Sequence, residues 1–343
     1  MRILLIGYYG SKNLGDDLML NNLLDYLTNV SYVKKVYVIV TENYYRHKDD
    51  KILFISKNDK ISKFKKIFYL LKSSVVVWGG GTCFYDNDGL YSLYKYWKLS
   101  KLLNKRFIFL GIGIGKLSGK FKDLSIKIIK NSHYISTRDE YSFNFVKRYN
   151  KNTCLGGDLV FLKYSETNIK LNRKKNNKQL KNISFSGIYM GNKSISFYSE
   201  QLKKLINELG VIIHFLPAHE KDIDFHKKLS ANLPNKNVRL INNFDIEKYQ
   251  NVMQYMDFHI GMRLHSIVLA DIFSVPNLGI EYANKVRYYL EKSNSLDRLL
   301  KLYSPIHPEL IKKILYNYNP NIDFMKKEKE TSLKCLNKFW RIE

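Results

Sequence analysis

The sequence predicts an α/β protein made of two doubly wound, mostly parallel sheets. Three observations carry this. Short runs rich in Val, Ile, Phe and Tyr alternate with segments of helical period. The alternation breaks once, near residues 166–182, and then resumes. A chain of 343 residues also exceeds most single hydrophobic cores, and its apolar fraction of 45% is enough to fill two.

In the first domain, 1–165, the runs RILLIGYY, VKKVYVIV, SSVVVWGG, RFIFLGIGIG and HYISTR read as strands. LMLNNLLDYL, LYSLYKYWKLSKLL and LSIKIIKNS read as the helices between them, which is βαβ order and therefore a parallel sheet. Residues 166–182, ETNIKLNRKKNNKQLKN, are charged and poor in apolar side chains, and read as a linker. The second domain, 183–300, repeats the pattern with NISFSGIY, GVIIHFLPAH, NVRLIN and MDFHIGM as strands and YSEQLKKLINELG as an amphipathic helix. A charged helical tail, 301–343, is divided by Pro305, Pro308 and Pro320.

Composition narrows the setting. Cys83, Cys154 and Cys335 are odd in number with no close pair, which argues against a disulfide framework and gives no zinc-knuckle spacing. A reducing, cytoplasmic compartment is expected. The start MRILLIGYYG lacks the apolar core of a signal peptide, and no apolar stretch reaches the roughly 20 residues of a membrane helix. The net charge of +26 comes from 57 Lys and Arg against 31 Asp and Glu, mostly Lys scattered along the whole chain. That distribution reads as compositional bias rather than a nucleic-acid stripe, and no helix-turn-helix, zinc-finger or RNA-recognition signature accompanies it. A strongly basic protein can nevertheless rest against an anionic membrane face.

Ligands of open α/β sheets bind outside the carboxyl ends of the strands, so two such sheets imply a cleft lined by strand-end loops. After the first strand comes GYYGSKNLGDDL, with Gly10, Asn13 and Asp16 before a helix. Such a turn suits an anion or a hydroxyl, and reads equally as a helix N-cap by Asp16. Its spacing is neither the dinucleotide fingerprint nor a P-loop. WGGGTCFYD places Gly80 and Gly81 after another strand, and FLGIGIGKL places Gly113. Each alone is a tight turn. Arg138 in STRDEYS ends a strand where Asp139 opens a helix, and a capping cluster accounts for that motif taken alone. In MRLHS, however, Arg263 and His265 occupy the equivalent strand-to-helix position of the second domain. Two arginines and a histidine toward one cleft suit a small, multiply charged anion held by guanidinium forks. His214, His219 and His226 beside Glu220 and Asp222 superficially suit a metal, but they fall on a strand, a loop and a helix, and no metal is expected.

The series GYYGSKNLGDD, GGGTCFYD, GIGIGKL, STRDEYS, GGDLVFL and IGMRLHSIVLADIFSVPNLGIEYANKV resembles the polysaccharide pyruvyl transferase family in order and separation, from the first strand to about Val286. Thr82 and Cys83 stand where a small or apolar residue is usual, and GGDLVFL replaces an Asp-Pro form. The resemblance implies two Rossmann-like domains facing across a cleft, as in the GT-B fold. It implies transfer of a pyruvyl unit from phosphoenolpyruvate to a saccharide, giving a pyruvate ketal without a cofactor. Arg138, Arg263 and Lys285 then divide the donor's carboxylate and phosphate charge, and His265 is the general acid, with Asp16 as a second catalytic group. Gly10, Asn13, Gly80, Gly81, Gly113 and His219 are assigned to the acceptor and its loops, and His259 to structure. The acceptor is a sugar of a cell-surface polysaccharide or its precursor, whether free, nucleotide-linked or lipid-linked. The competing reading of His265 is a core histidine satisfied by backbone. The competing function is a glycosyltransferase using a nucleotide sugar, which would need a base and ribose pocket.

Overall fold

A computed structural model describes residues 1–45, 49–59, 61–165 and 180–341. Most of the expected linker, 166–179, lies outside the described residues. The chain forms two units: Met1–Ser11, Asp16–Lys163 and Lys326–Glu343 make one, Lys12–Gly15 and Tyr164–Met325 the other.

The first unit runs β1 (Arg2–Ile6), α1 (Leu14–Thr28), β2 (Lys35–Val40), β3 (Ile52–Ser56), α2 (Ser62–Lys72), β4 (Val75–Gly79), β5 (Thr82–Phe84), α3 (Gly89–Leu102), β6 (Arg106–Ile114), α4 (Gly119–Lys130), β7 (Tyr134–Thr137), α5 (Glu140–Lys147) and β8 (Thr153–Leu155). Its strands are parallel in the order β3-β2-β1-β4-β6-β7-β8, with β5 alongside β6. Ile3 faces Val36 on one side and Val75 on the other, so β1 is central and every residue of β4 is buried. That explains the unbroken run VVVW: a strand covered on both faces needs no polar alternation. The winding reverses between β1 and β4, and such a switch point opens a crevice at the carboxyl ends of the two strands.

The second unit runs β9 (Asn182–Ser186), α6 (Asn192–Leu209), β10 (Ile212–Phe215), α7 (Ile223–Ser230), β11 (Val238–Leu240), α8 (Ile246–Met253), β12 (Phe258–Gly261), α9 (Leu264–Ile272), β13 (Asn277–Glu281), α10 (Asn284–Lys292), β14 (Leu299–Lys301) and α11 (Pro308–Asn317). Its strands are parallel in the order β11-β10-β9-β12-β13-β14, with the switch between β9 and β12. Ile183, Phe185, Phe215, Phe258 and Ile260 fill the core with Leu202 and Leu205 of α6. A buried ion pair sits at one side: Arg298 Nη1 donates to Asp271 Oδ1 at 2.7 Å, and Asn277, Tyr289 and Tyr318 also bond Asp271 or Arg298.

The stretch expected as one helical tail is divided. Ile311 and Ile314 of α11 pack into the second core, whereas α12 (Ile322–Arg341) joins the first unit from Lys326 onward. There Cys335 is disulfide-bonded to Cys154 of β8, 181 residues away. This corrects the reading of the cysteines. A pair so distant leaves no spacing signal in the sequence, and the bond removes the cysteine argument for a reducing compartment. No helix among the described residues is long and apolar enough to cross a membrane.

Candidate functional site

In the first unit the candidate residues gather at the carboxyl ends of the strands on either side of the switch. Arg138, directly after β7, donates from Nη2 to Thr82 Oγ1 at 2.9 Å and from Nη1 to Asp158 Oδ2 at 3.4 Å. Its Nε lies 3.8 Å from Asp139 Oδ2. Asp139 is also the N-cap of α5, accepting from Ser142 N at 2.7 Å. The capping cluster is therefore real, yet it engages only one edge of the guanidinium. Gly113 is what lets Arg138 lie across the end of β6, because a Cβ there would stand 2.9 Å from Nε. The GGDLVFL segment supplies Asp158, and α12 fixes that segment: Glu328 Oε2 accepts from Asp158 N at 3.2 Å and Ser332 Oγ from Gly157 N at 3.2 Å.

Gly80 and Gly81 follow β4 with φ of +69° and +75°, a region that L side chains rarely adopt. The turn they make brings the backbone against α1, where a Cβ on Gly81 would stand 3.2 Å from Asp16 Oδ1. Asp16 occupies the first turn of α1, half-buried, and is not the N-cap. Asn13 Oδ1 instead accepts from Gly15 N at 3.3 Å, because the helix begins at Leu14. Asp17 is buried and accepts hydrogen bonds from the hydroxyls of Tyr44 and Tyr45. Gly10 N donates to Tyr45 Oη at 2.8 Å and to Asp17 Oδ1 at 3.3 Å, so its loop is tied down.

In the second unit the MRLHS turn follows β12 at the switch point. Arg263 forms a two-toothed pair with Asp222: Nη2 to Oδ1 at 2.7 Å and Nε to Oδ2 at 3.1 Å. The Asp222 side chain is only 2% exposed. Burial pushes its carboxyl above the usual range while the Arg263 bonds pull it down. The fork fixes the plane of the guanidinium, leaving Nη1 outside it. Beneath the turn, Ser266 Oγ donates to Arg263 O at 2.7 Å and lies 3.0 Å from His259 Nε2, whose other nitrogen is 2.8 Å from Ser184 Oγ. His259 is thus buried and structural, as expected.

His265 lies in the first turn of α9, half-buried. The segment Lys12–Gly15 packs beside it. Leu14 N donates to Ala218 O at 2.9 Å, Asn13 forms a bridge with His219, and Lys12 Nζ meets Glu220 Oε1 at 2.5 Å. Gly15 passes so close to the imidazole that a Cβ would overlap Nδ1. His219 accepts from Lys221 N at 3.0 Å through Nδ1. Burial first, then the charges of Arg263 and Lys221, push its pKa down to about 4. Lys285 stands exposed in the first turn of α10, its Nζ 5.2 Å from the Tyr282 ring centre.

Within each unit the structure therefore groups the expected residues: Gly80, Gly81 and Asp16, and separately Gly113 and Arg138, in the first; Asn13, His219, Arg263 and His265 in the second. Lys285 stands on a neighbouring helix start. The sequence reading missed Asp222 and Asp158 as arginine partners, and the steric role of Gly15. Asp158 lies in the GGDLVFL motif and Asp222 beside the histidines weighed for a metal, but nothing local says which arginine a carboxylate will meet. Among the described residues, no group of three or more His, Cys, Asp or Glu could hold a metal ion.

Two Rossmann-like parallel-sheet units with charged residues at the switch points define a GT-B-type protein, and solved structures agree. Anabaena Alr3699/HepE in complex with UDP is 11% identical over 100% of this chain and 98% of its own, with a TM-score of 0.56. The UDP-GlcNAc 2-epimerase of Methanocaldococcus jannaschii is 12% identical over 99% and 100%, with a TM-score of 0.63. A Rickettsia africae glycosyltransferase is 15% identical over 98% and 93%, with a TM-score of 0.55. At such identities the likeness is one of fold. No curated protein matches the sequence. The chain belongs to the polysaccharide pyruvyl transferase family, whose model matches residues 13–284, and is a transferase by that membership.

Proposed function

We propose that this protein transfers the pyruvyl group of phosphoenolpyruvate to a sugar of a cell-surface polysaccharide or its precursor, forming a cyclic pyruvate ketal. The observation that carries the reading is the MRLHS turn of a family member: a guanidinium held in plane by a buried carboxylate, two residues before an imidazole. Arg138, Arg263 and Lys285 divide the donor's carboxylate and phosphate charge among them. His265 as an imidazolium gives its proton to the methylene carbon, and the enol double bond supplies the electron pair, so positive charge develops on the central carbon. A sugar hydroxyl attacks that carbon. Phosphate then leaves with the electrons of its carbon–oxygen bond, and a second hydroxyl of the same sugar closes the ketal. One hydroxyl proton restores His265 and the other leaves with phosphate, with Asp16 as the carboxylate that relays it. Gly10, Asn13, Gly80, Gly81, Gly113 and His219 belong to the loops that receive the saccharide acceptor, whether free, nucleotide-linked or lipid-linked. The reading expects a cytoplasmic site of action, where phosphoenolpyruvate is made.

Phosphate release from phosphoenolpyruvate, followed across a panel of lipid- and nucleotide-linked sugars, tests this. The expected result is acceptor-dependent release together with a product heavier by the ketal. Turnover of a UDP-sugar with no response to phosphoenolpyruvate would replace the reading with a glycosyltransferase.

A further inference from the structure

Helix α2 departs from the rule that an apolar stripe faces inward. Its sequence, SKFKKIFYLLK, contains no acidic residue. Phe64, Ile67, Phe68 and Leu71 recur at i, i+3, i+4 and i+7, the spacing of a core-facing stripe. Yet they are 77%, 49%, 48% and 52% exposed, and Ile61 extends the row by one turn. What holds the helix to its unit is a different side. Leu70 is buried in the core, and the Tyr69 ring packs 4.6 Å from that of Tyr37.

Lysines flank the stripe on both sides. On a helical wheel Lys63 falls along one margin, and Lys65 and Lys72 along the other. Lys72 Nζ stands 4.3 Å over the Phe68 ring, and Lys65 is paired with Asp59 at 2.9 Å. On the opposite side of the helix, burial and then repulsion from Lys63 lower the pKa of Lys66, and burial and then repulsion from Lys66 lower that of Lys57.

We infer that α2 is a membrane-docking element that lays its apolar stripe into the surface of an anionic bilayer, with the flanking lysines on lipid phosphates. An exposed aromatic stripe bordered by lysine is the pattern of a helix lying in the plane of the headgroups. Charge selects the occupant. A second copy of this face would bring lysines against lysines, whereas anionic headgroups neutralise them and Phe64 and Phe68 enter the acyl boundary. The inference stands independently of the donor chemistry proposed above. Were both correct, it would bring the enzyme to the surface where a lipid-linked acceptor resides.

Flotation of the intact protein with phosphatidylcholine vesicles, with and without phosphatidylglycerol, tests it. Wild type should float only with the anionic vesicles and be released by high salt. Lys63→Glu with Lys72→Glu, one from each margin, should weaken partitioning at least roughly 25-fold, at about fivefold per lysine. Phe64→Ser with Phe68→Ser should weaken it at least about tenfold, and neither pair should alter the melting temperature, because these side chains point to solvent. In a separate variant, Phe64→Trp, the indole fluorescence should shift to the blue on adding anionic vesicles, a readout that needs no loss of binding. Undiminished flotation of the serine variant, or an indole emission that ignores vesicles, would overturn the proposal. So would sedimentation showing a dimer that the serine variant dissociates, which would assign the face to a second copy.

Discussion

Gly15 and His265 are in such close register that no side chain larger than hydrogen fits between backbone and imidazole. The glycine therefore acts on the position of the ring. Gly15→Ala should push the imidazole aside, since a side chain yields more easily than backbone. Turnover measured as phosphate release should fall by about 10²-fold or more, approaching the roughly 10²–10⁴ loss expected of His265→Gln. The melting temperature of both variants should stay near wild type. If Gly15→Ala keeps full turnover, the ring does not work from the position seen here. If His265→Gln does, the proton comes from another group.

The Arg263–Asp222 fork makes a second prediction. Arg263→Ala should weaken phosphoenolpyruvate binding by about 2–5 kcal/mol in calorimetry, because the site loses a guanidinium that nothing replaces. It also strands a buried carboxylate, so urea unfolding should show a loss of stability. Arg263→Lys should rescue stability only partly, since a single ammonium cannot make both bonds to Asp222. Asp222→Asn, which keeps the shape but weakens the fork, should affect binding less than Arg263→Ala. Unchanged binding in a folded Arg263→Ala protein would remove Arg263 from the donor site.

Two buried histidines make the fold acid-sensitive. Burial pushes His226 and His259 down to about 3, so both are neutral in the native protein at neutral pH. In the unfolded chain each binds a proton below about pH 6.5. The native state therefore holds its full stability above that pH, and loses it as pH falls from about 6.5 toward 3 because the unfolded chain takes up protons that the native one refuses. The expected slope is about 1.4 kcal/mol per pH unit for each histidine. Urea midpoints measured between pH 7 and pH 4 should fall accordingly, and His259→Asn should remove one proton's share of the slope. A pH-independent midpoint over that range would show that the histidines are not buried neutral.

The Cys154–Cys335 bond ties α12 to β8, and with it the segment that carries Asp158. Cys335→Ala should cost about 2–4 kcal/mol in urea unfolding, chiefly by freeing the unfolded chain. Dithiothreitol should lower the wild-type melting temperature and leave the variant unaffected. Identical curves with and without reductant would mean that the bond does not form in solution.

The βαβ order, the strands at both switch points and the positions of Arg138, Arg263 and His265 just after strands were all legible in the chain. These are local matters: periodicity sets the element, and the break in periodicity marks its end. The run VVVW could be read as a buried strand because burial on both faces leaves its mark on every residue of the run. Elements whose pattern misleads were lost. Nothing was assigned to α2, and its stripe of Phe64, Ile67, Phe68 and Leu71 would have been read as core, because spacing reports amphipathicity and not which side faces the protein. The partners of individual side chains emerged only from the folded chain. Asp222 meets Arg263 across 41 residues, Asp158 meets Arg138 across 20, and Cys335 meets Cys154 across 181. A carboxylate, a thiol or a glycine looks the same in sequence wherever its partner lies, since these contacts depend on which strands the windings of each sheet bring side by side. Gly15 shows this most plainly: in the chain it belongs to a turn before a helix, and only folding places it against the imidazole of His265.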